Sequence, residues 1–399
     1  MRALRIALCA ALVGGWLALA WLLFGTVVPD GLRLPHVDVD AVFGRSVVER
    51  AERYERFLLV LWVVETVVTL ATLAVYARVG GRFAEESAAG PLGTGMLLGM
   101  LGLAIVWLTQ LPFAVLELWW SRRHDVSHVG YFETLFGGWV QLGVTFVAVC
   151  AALLVVMGLA RRLGSWWWIP GAAVFTAIAA LVVFVDPWVY PGLDRPDDPG
   201  LVARYDRLER AQGLDGIPLR VESVSDDTSQ ANAFAFGLGP SRKIVLWDTL
   251  LDGRFTDREV DVVLAHELGH HAGDHIAKAL GWFALFALPG ALVLMLATRG
   301  LGGMGEPRAV PLALLVATVW AIVTTPAQNV VSRRAEAEAD WKALQATRDP
   351  VAARGLFREF AVTSLGDPSP PTWAYLLLET HPTLAQRVAM ADAWAARGR

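Results

Sequence analysis

Seven long apolar runs constrain what this chain can fold into more than any other feature. They are Ile6 to Val28, Phe57 to Tyr76, Met96 to Trp120, Trp139 to Ala160, Trp166 to Val185, Ala279 to Ala297 and Val310 to Val331. A helix needs about 20 residues to cross a hydrocarbon core, so each run is a candidate span. The expected fold is an all-α polytopic membrane protein with about seven transmembrane helices. Composition agrees: 18% of residues are charged, against about 25% in ordinary soluble domains. The 17 Trp suit a chain with membrane–water interfaces. Arg2 and Arg5 precede the first run and Ala18-Leu19-Ala20 resembles a signal cleavage site. The run is nevertheless longer than the 7–15 apolar residues of a signal peptide, so it reads as an anchor.

Between and after the spans lie two segments of another kind. Residues 186–278 are polar and open with a Pro/Gly cluster. A short helical pattern follows around Leu201 to Ala211, then two strand-like stretches, Leu219 to Val224 and Ile244 to Trp247. Residues 332–399 are Ala-rich and helical in pattern, interrupted by Asp367-Pro368-Ser369-Pro370-Pro371. The chain therefore divides into 1–185, five spans enclosing a membrane chamber; 186–278, a polar module; 279–331, two spans; and 332–399, a helical tail. Glu65, Gln110, Glu117 and Gln141 lie in or near the spans, where polar groups usually face a protein interior or a wet cavity. Cys9 and Cys150 both sit in apolar runs and provide neither a disulfide framework nor a metal site.

A formal charge of −4 gives no basic surface and no reason to expect nucleic acid. Lysine is confined to Lys243, Lys278 and Lys342. Nearly all other positive charge is Arg, a usage typical of high-GC bacterial genomes, so a bacterial cell membrane is expected. Orientation follows from Arg and Lys near the spans. Arg33, Arg45, Arg50, Arg53, Arg56, Arg122, Arg123, Lys278, Arg333 and Arg334 fall on the side of the polar module. Arg2, Arg5, Arg78, Arg82, Arg161, Arg162, Arg299 and Arg308 fall on the other. The bias is shallow and places the polar module in the cytoplasm.

The chemistry concentrates in His266-Glu267-Leu268-Gly269-His270. Val260 to His275 reads as a helix, with Thr256 as N-cap and Glu259 as its capping-box partner. On a helix His266 and His270 share one face, and two neutral imidazoles at that spacing hold one Zn²⁺ at about 2.0–2.1 Å. Glu267 lies beside them, placed to take a proton from water rather than to bind metal.

A catalytic zinc needs a third protein ligand. In Ser332-Arg333-Arg334-Ala335-Glu336-Ala337-Glu338-Ala339-Asp340, Glu336 and Asp340 share a helix face. Alone, the stretch reads as a solvated charged face. The upstream histidines favour Glu336 as the third ligand, with Asp340 fixing the tautomer of a ligand histidine. Glu338 points from another face and is expected to leave zinc binding unaffected. These residues imply one Zn²⁺ per chain in a zincin-type α+β metallopeptidase module.

Beyond the zinc set, the chain resembles the integral-membrane CAAX prenyl proteases of type I. The match includes His275 after the HExxH motif, then Asn329, Ser332, Arg333, Glu336, Ala339 and Asp340, and later His381, Pro382 and Arg387. Asn232-Ala233-Phe234 and Ile244-Val245-Leu246-Trp247-Asp248-Thr249-Leu250 match a strand pair of that family, and Leu111-Pro112-Phe113 with His124 echo its third helix. Departures are a shorter segment, Arg299 to Arg308, between the last two spans, Ser121 to Ser127 after the third helix, and Thr228-Ser229-Gln230 before the Asn-Ala strand. The resemblance implies a zinc endopeptidase whose substrate, a peptide or membrane protein with or without a lipid, pairs with the backbone at Asn232 and Ala233. It further implies that His381 donates to the oxyanion and that Arg387 steadies substrate or site. Two rivals stand beside it. One is a membrane quality-control metalloprotease like the shorter bacterial stress-induced enzymes with four spans; the other is an inactive scaffold or transporter.

Overall fold

The computed structural model describes residues 2–85 and 87–397, with side chains from residue 13 onward. The principal helices are α1 (Arg2–Leu23), α2 (Val39–Phe43), α3 (Arg45–Val79), α4 (Gly90–Arg123), α5 (Tyr131–Leu163), α6 (Trp168–Val189), α7 (Pro199–Ala211), α8 (Asp257–Ala272), α9 (His275–Thr298), α10 (Val310–Thr347), α11 (Pro350–Thr363), α12 (Thr372–Leu377) and α13 (Leu384–Arg397). Six of them, α3, α4, α5, α6, α9 and α10, are long and apolar enough to cross a membrane. They coincide with six of the seven expected spans. The seventh, α1, is helical over 22 residues, and its described side chains form the apolar stretch Val13–Leu23. Cys9 lies outside the described side chains, and Cys150 in α5 is a free thiol.

Helix α10 decides the architecture. Its 38 residues at ~1.5 Å each make it about 57 Å long, nearly twice the ~30 Å of hydrocarbon. The apolar half, from Val310, packs against α3, α4 and α9; the polar half continues without a break into contact with α8, α12 and α13. Pro326 lies inside it. A proline removes one backbone hydrogen bond and usually kinks or ends a soluble helix, yet helices in a bilayer tolerate it because neighbours re-satisfy the freed groups. The change from apolar to polar residues after Val331 is thus a change of surroundings along one helix.

Two cores result. One lies among the spans, where Met157, Leu153, Trp167, Met304, Ala309 and Val310 are buried together. The other lies in the polar module and joins α7, α8, the end of α10, α11, α13 and the sheet through Leu201, Tyr205, Leu246, Leu264, Leu268, Trp341 and Leu356. The sheet has the order β1-β2-β4-β3, with β1 Leu193–Asp194, β2 Leu219–Glu222, β3 Ala233–Phe236 and β4 Lys243–Trp247. Strands β2 and β4 are parallel, as in Val221↔Leu246; β3 runs antiparallel to β4, as in Ala233↔Leu246. Among the described residues, strand β3 therefore has a partner on one side only.

Helix α8 begins as its capping box predicts, with the Glu259 Oε2 carboxylate accepting from the Thr256 N–H at 2.8 Å. It ends sooner than expected. The helix stops at Ala272, Asp274 adopts a left-handed φ of 52°, and His275 starts α9. Helix α8 is buried on nearly every side, as a central helix must be, and it docks on α10 at Gly269. A Cβ there would stand 3.1 Å from the Ala339 carbonyl oxygen and 3.2 Å from its Cα, and a backbone neighbour cannot swing aside. Gly269→Ala should therefore lower stability by about 1–3 kcal/mol, the usual cost of overpacking. Thermal unfolding of the detergent-solubilised protein measures this; an unchanged melting temperature would show that the two helices do not meet so closely.

Candidate active site

Glu336 lies 26 residues beyond Val310, about 39 Å along α10 at ~1.5 Å per residue, where the helix emerges beside α8. The docking at Gly269 brings together His266, His270 and Glu336, whose candidate ligand atoms all lie within 4.8 Å of one another. His266 Nε2 is 3.1 Å from His270 Nε2 and 3.1 Å from Glu336 Oε2, and His270 Nε2 is 3.6 Å from Glu336 Oε1. Tetrahedral bonds of about 2.0–2.1 Å require ligand atoms roughly 3.3–3.4 Å apart, so the cluster has the dimensions of a zinc site.

The outer nitrogens support that fit. His266 Nδ1 is 2.8 Å from Asp340 Oδ1, so a neutral His266 donates its Nδ1–H to that carboxylate and keeps a lone pair on Nε2. Two imidazole lone pairs and a carboxylate then converge on one point, an arrangement that only a cation relieves. Asp340 is held in turn by Arg387, which donates through Nε to Oδ2 at 2.8 Å and through Nη2 to Oδ1 at 2.6 Å. The guanidinium lies over the Phe357 ring, 4.3 Å from its centroid. Of the two roles expected for Arg387, substrate or site, this geometry supports the site.

Burial pushes the His266 imidazole down, but its hydrogen bonds to Asp340 and Glu336 and their charges outweigh burial and hold it up at about 10. A proton thus occupies the centre when no metal does. His271, next to the ligand His270, belongs to the scaffold. Burial holds it down at about 4, and its ring Nε2 contacts the Lys243 carbonyl at 3.2 Å, tying α8 to the start of β4.

Glu267 and His381 open onto one cavity of about 730 Å³ together with His266, His270 and Glu336. His381, half-exposed, sets Nε2 3.2 Å from Glu336 Oε2, on the solvent side of the cluster. Asn232 and Ala233 line the same cavity: β3 presents its unpaired edge there, with the Asn232 carbonyl already accepting from Trp247 N. The expected metal ligands, together with Glu267, His381, Asn232 and Ala233, all line this cavity, and Asp340 and Arg387 stand behind His266.

Sequence reasoning missed the cavity's apolar wall. Phe24, Trp282, Phe283 and Phe286 line it, and α1 is held over it by Arg334, which donates through Nε to the Phe24 carbonyl at 2.6 Å and stacks on the Phe24 ring at 4.3 Å. Helix periodicity within a uniformly apolar span gives no sign of which face turns to a cavity. Of the four polar residues expected to mark a chamber among the spans, Gln110 reaches across to α3, donating to Thr69 Oγ1 at 2.9 Å and approaching the Glu65 carbonyl at 3.5 Å, while Glu117 and Gln141 are exposed.

The chain is similar to known proteins. The family described as peptidase family M48 matches residues 203–395. A protein named protease HtpX homolog, from Acidiphilium cryptum, is 30% identical over 280 residues, which cover 61% of this chain and 92% of that protein. CAAX prenyl protease 1 homolog of Arabidopsis thaliana is 26% identical over 266 residues, 61% of each. The chain spans about three fifths of the length of that protein and of a Bacillus subtilis relative. The crystal structure of S. mikatae Ste24p superposes with a TM-score of 0.77 at 16% identity, covering 95% of this chain and 96% of that one.

A cation entering this cluster must displace a proton that His266 holds up to about pH 10, so the apparent affinity for added Zn²⁺ should rise about tenfold per pH unit below that value. Competition with a chromophoric chelator between about pH 6 and 8 measures it. A flat profile would contradict the proposed protonation of the centre.

Proposed function

The chain belongs to peptidase family M48, a family of metal-dependent peptide hydrolases, and on that premise we propose that it is a zinc endopeptidase cutting substrates at the membrane surface. The convergence of His266, His270 and Glu336 within 4.8 Å, in one cavity with Glu267 and beneath a free strand edge, carries the reading. These three residues would hold one Zn²⁺. When bound, zinc would polarise the scissile carbonyl and lower the pKa of water.

The chain's own groups do the rest. The edge of β3 at Asn232 and Ala233 pairs with an extended substrate as an added strand, which sets the scissile bond across the cavity. Glu267 takes a proton from the attacking water and returns it to the leaving amine. His381 donates from Nε2 to the oxygen that becomes negative as the carbonyl turns tetrahedral. Asp340 and Arg387 keep His266 in the tautomer that leaves Nε2 bare. The aromatic wall receives apolar substrate groups, consistent with a CAAX-prenyl-protease-like substrate. Six span-length helices favour this reading over the four-span quality-control proteases. The set of His266, Glu267, His270 and Glu336 favours it over an inactive scaffold.

In this reading the site faces the cytoplasm of a bacterial cell. Arg45, Arg50, Arg53 and Arg56 open α3, whose contacts with α11 put that end on the side of the site, as the positive-inside rule favours. In a chain lacking Cys9 and Cys150, cysteine at Arg195 should resist an impermeant thiol reagent in intact cells while cysteine at Gly303 reacts. The opposite pattern would turn the protease outward. Glu267→Gln should slow cleavage of a quenched peptide by about 10²–10⁴-fold while zinc stays near one per chain. Loss of zinc as complete as in His266→Ala would remove Glu267 from the proton-carrying role.

A further inference from the structure

Helix α8 yields to α9 through a turn that serves no chain-reversal alone. Gly273 and the left-handed Asp274 bring His275, the first residue of α9, back against α8, and its Nδ1 stands 3.0 Å from Nδ1 of His270. The ring lies flat on Gly273: a Cβ there would be 2.4 Å from His275 Nε2, so the approach needs glycine. His275 Nε2 is buried and makes no good hydrogen bond; the acceptor it faces is Glu338 Oε2, at 3.4 Å. Glu338 is only 3% exposed, with Lys278 Nζ at 3.7 Å and Lys342 Nζ at 4.0 Å. A carboxylate so buried is costly unless charge and hydrogen bonds compensate it, and the two ammonium groups supply the charge.

We propose that His275 and Glu338 form a positioning relay for His270, the counterpart of Asp340 and Arg387 behind His266. The inference rests on the zinc site proposed above and deepens it. If His270 offers a bare Nε2 to the metal, its proton sits on Nδ1 and is donated to His275 Nδ1. The proton of His275 is then on Nε2, 3.4 Å from the Glu338 Oε2 charge. One ligand histidine is thus oriented directly by a carboxylate, the other through a second imidazole, and both carboxylates come from α10, four residues or fewer from Glu336. Glu338, expected from its helix face to leave zinc binding unaffected, becomes part of what fixes it.

Zinc affinity of the full-length protein, by chelator competition, and the visible d–d spectrum of its Co²⁺ form test the relay. His275→Ala and Glu338→Leu should each weaken zinc about 10–100-fold, the range for residues behind a metal ligand, and should alter the Co²⁺ band. Glu338→Gln, which keeps an acceptor oxygen in reach of Nε2–H, should stay near wild type. The double variant His275→Ala/Glu338→Leu should be no weaker than His275→Ala, because residues in one relay are not additive. Wild-type affinity and spectrum in His275→Ala, or additive losses in the double variant, would overturn the relay. Should Glu338→Leu fail to fold, His275→Ala decides, since that change removes an imidazole and leaves Glu338 with both lysines. Glu336→Ala and His266→Ala separate the two readings: if they retain zinc, the site itself is misassigned; if they lose it while His275→Ala does not, only the relay fails.

Discussion

The Asp340 carboxylate holds two things at once. It accepts from His266 on α8 and from the Arg387 fork on α13, while its own helix carries Glu336 one turn back. A single buried anion therefore joins three helices whose residues lie 47 and 74 positions apart. Buried charge of this sort is costly unless paired, and breaking one partner leaves the other uncompensated. The pairing obliges α8 to lie on α10 at the distance that Gly269 permits, and only at that distance do the imidazoles meet Glu336. Removal of the Arg387 guanidinium strands the carboxylate behind His266 even though Arg387 meets that histidine only at Nδ1, 3.4 Å away.

Placing half of the centre on the projecting end of a spanning helix couples site and bilayer. Helix α10 is packed among α3, α4 and α9 below and α8 above, so the height of Glu336 above the hydrocarbon is set by counting residues along one rod. The apolar wall of Trp282, Phe283 and Phe286 belongs to α9, the next helix after the HExxH turn, and the β3 edge faces it across the cavity. In the proposed function, an extended peptide on that edge would have its backbone satisfied by the strand and its apolar groups by the membrane helices.

Much of this was legible from residue order because it depends on local rules. Thr256 and Glu259 announce the start of α8, the spacing of His266 and His270 announces a shared face, and Glu336 with Asp340 repeats that spacing. The spans were visible because runs of 20 apolar residues have few other uses. What escaped notice depends on tertiary context. His271 and His275 continue a helix-like pattern, so nothing local marks the left-handed Asp274 where α8 stops. Pro326 signals a break that the bilayer suppresses. Glu338 reads as solvated because burial is a property of what packs on it, here α9 with His275 and Lys278, and no periodicity within α10 records that neighbour.

The central claim is that one metal ion sits between α8 and α10 with two imidazoles and a carboxylate around it. Zinc K-edge X-ray absorption on the metal-loaded protein addresses it directly. The account predicts a four-coordinate shell of two imidazole nitrogens and oxygen donors at about 2.0–2.1 Å, without sulfur, reduced to one imidazole in His270→Ala. A third imidazole from His275 or His381, or a sulfur at about 2.3 Å, would contradict it.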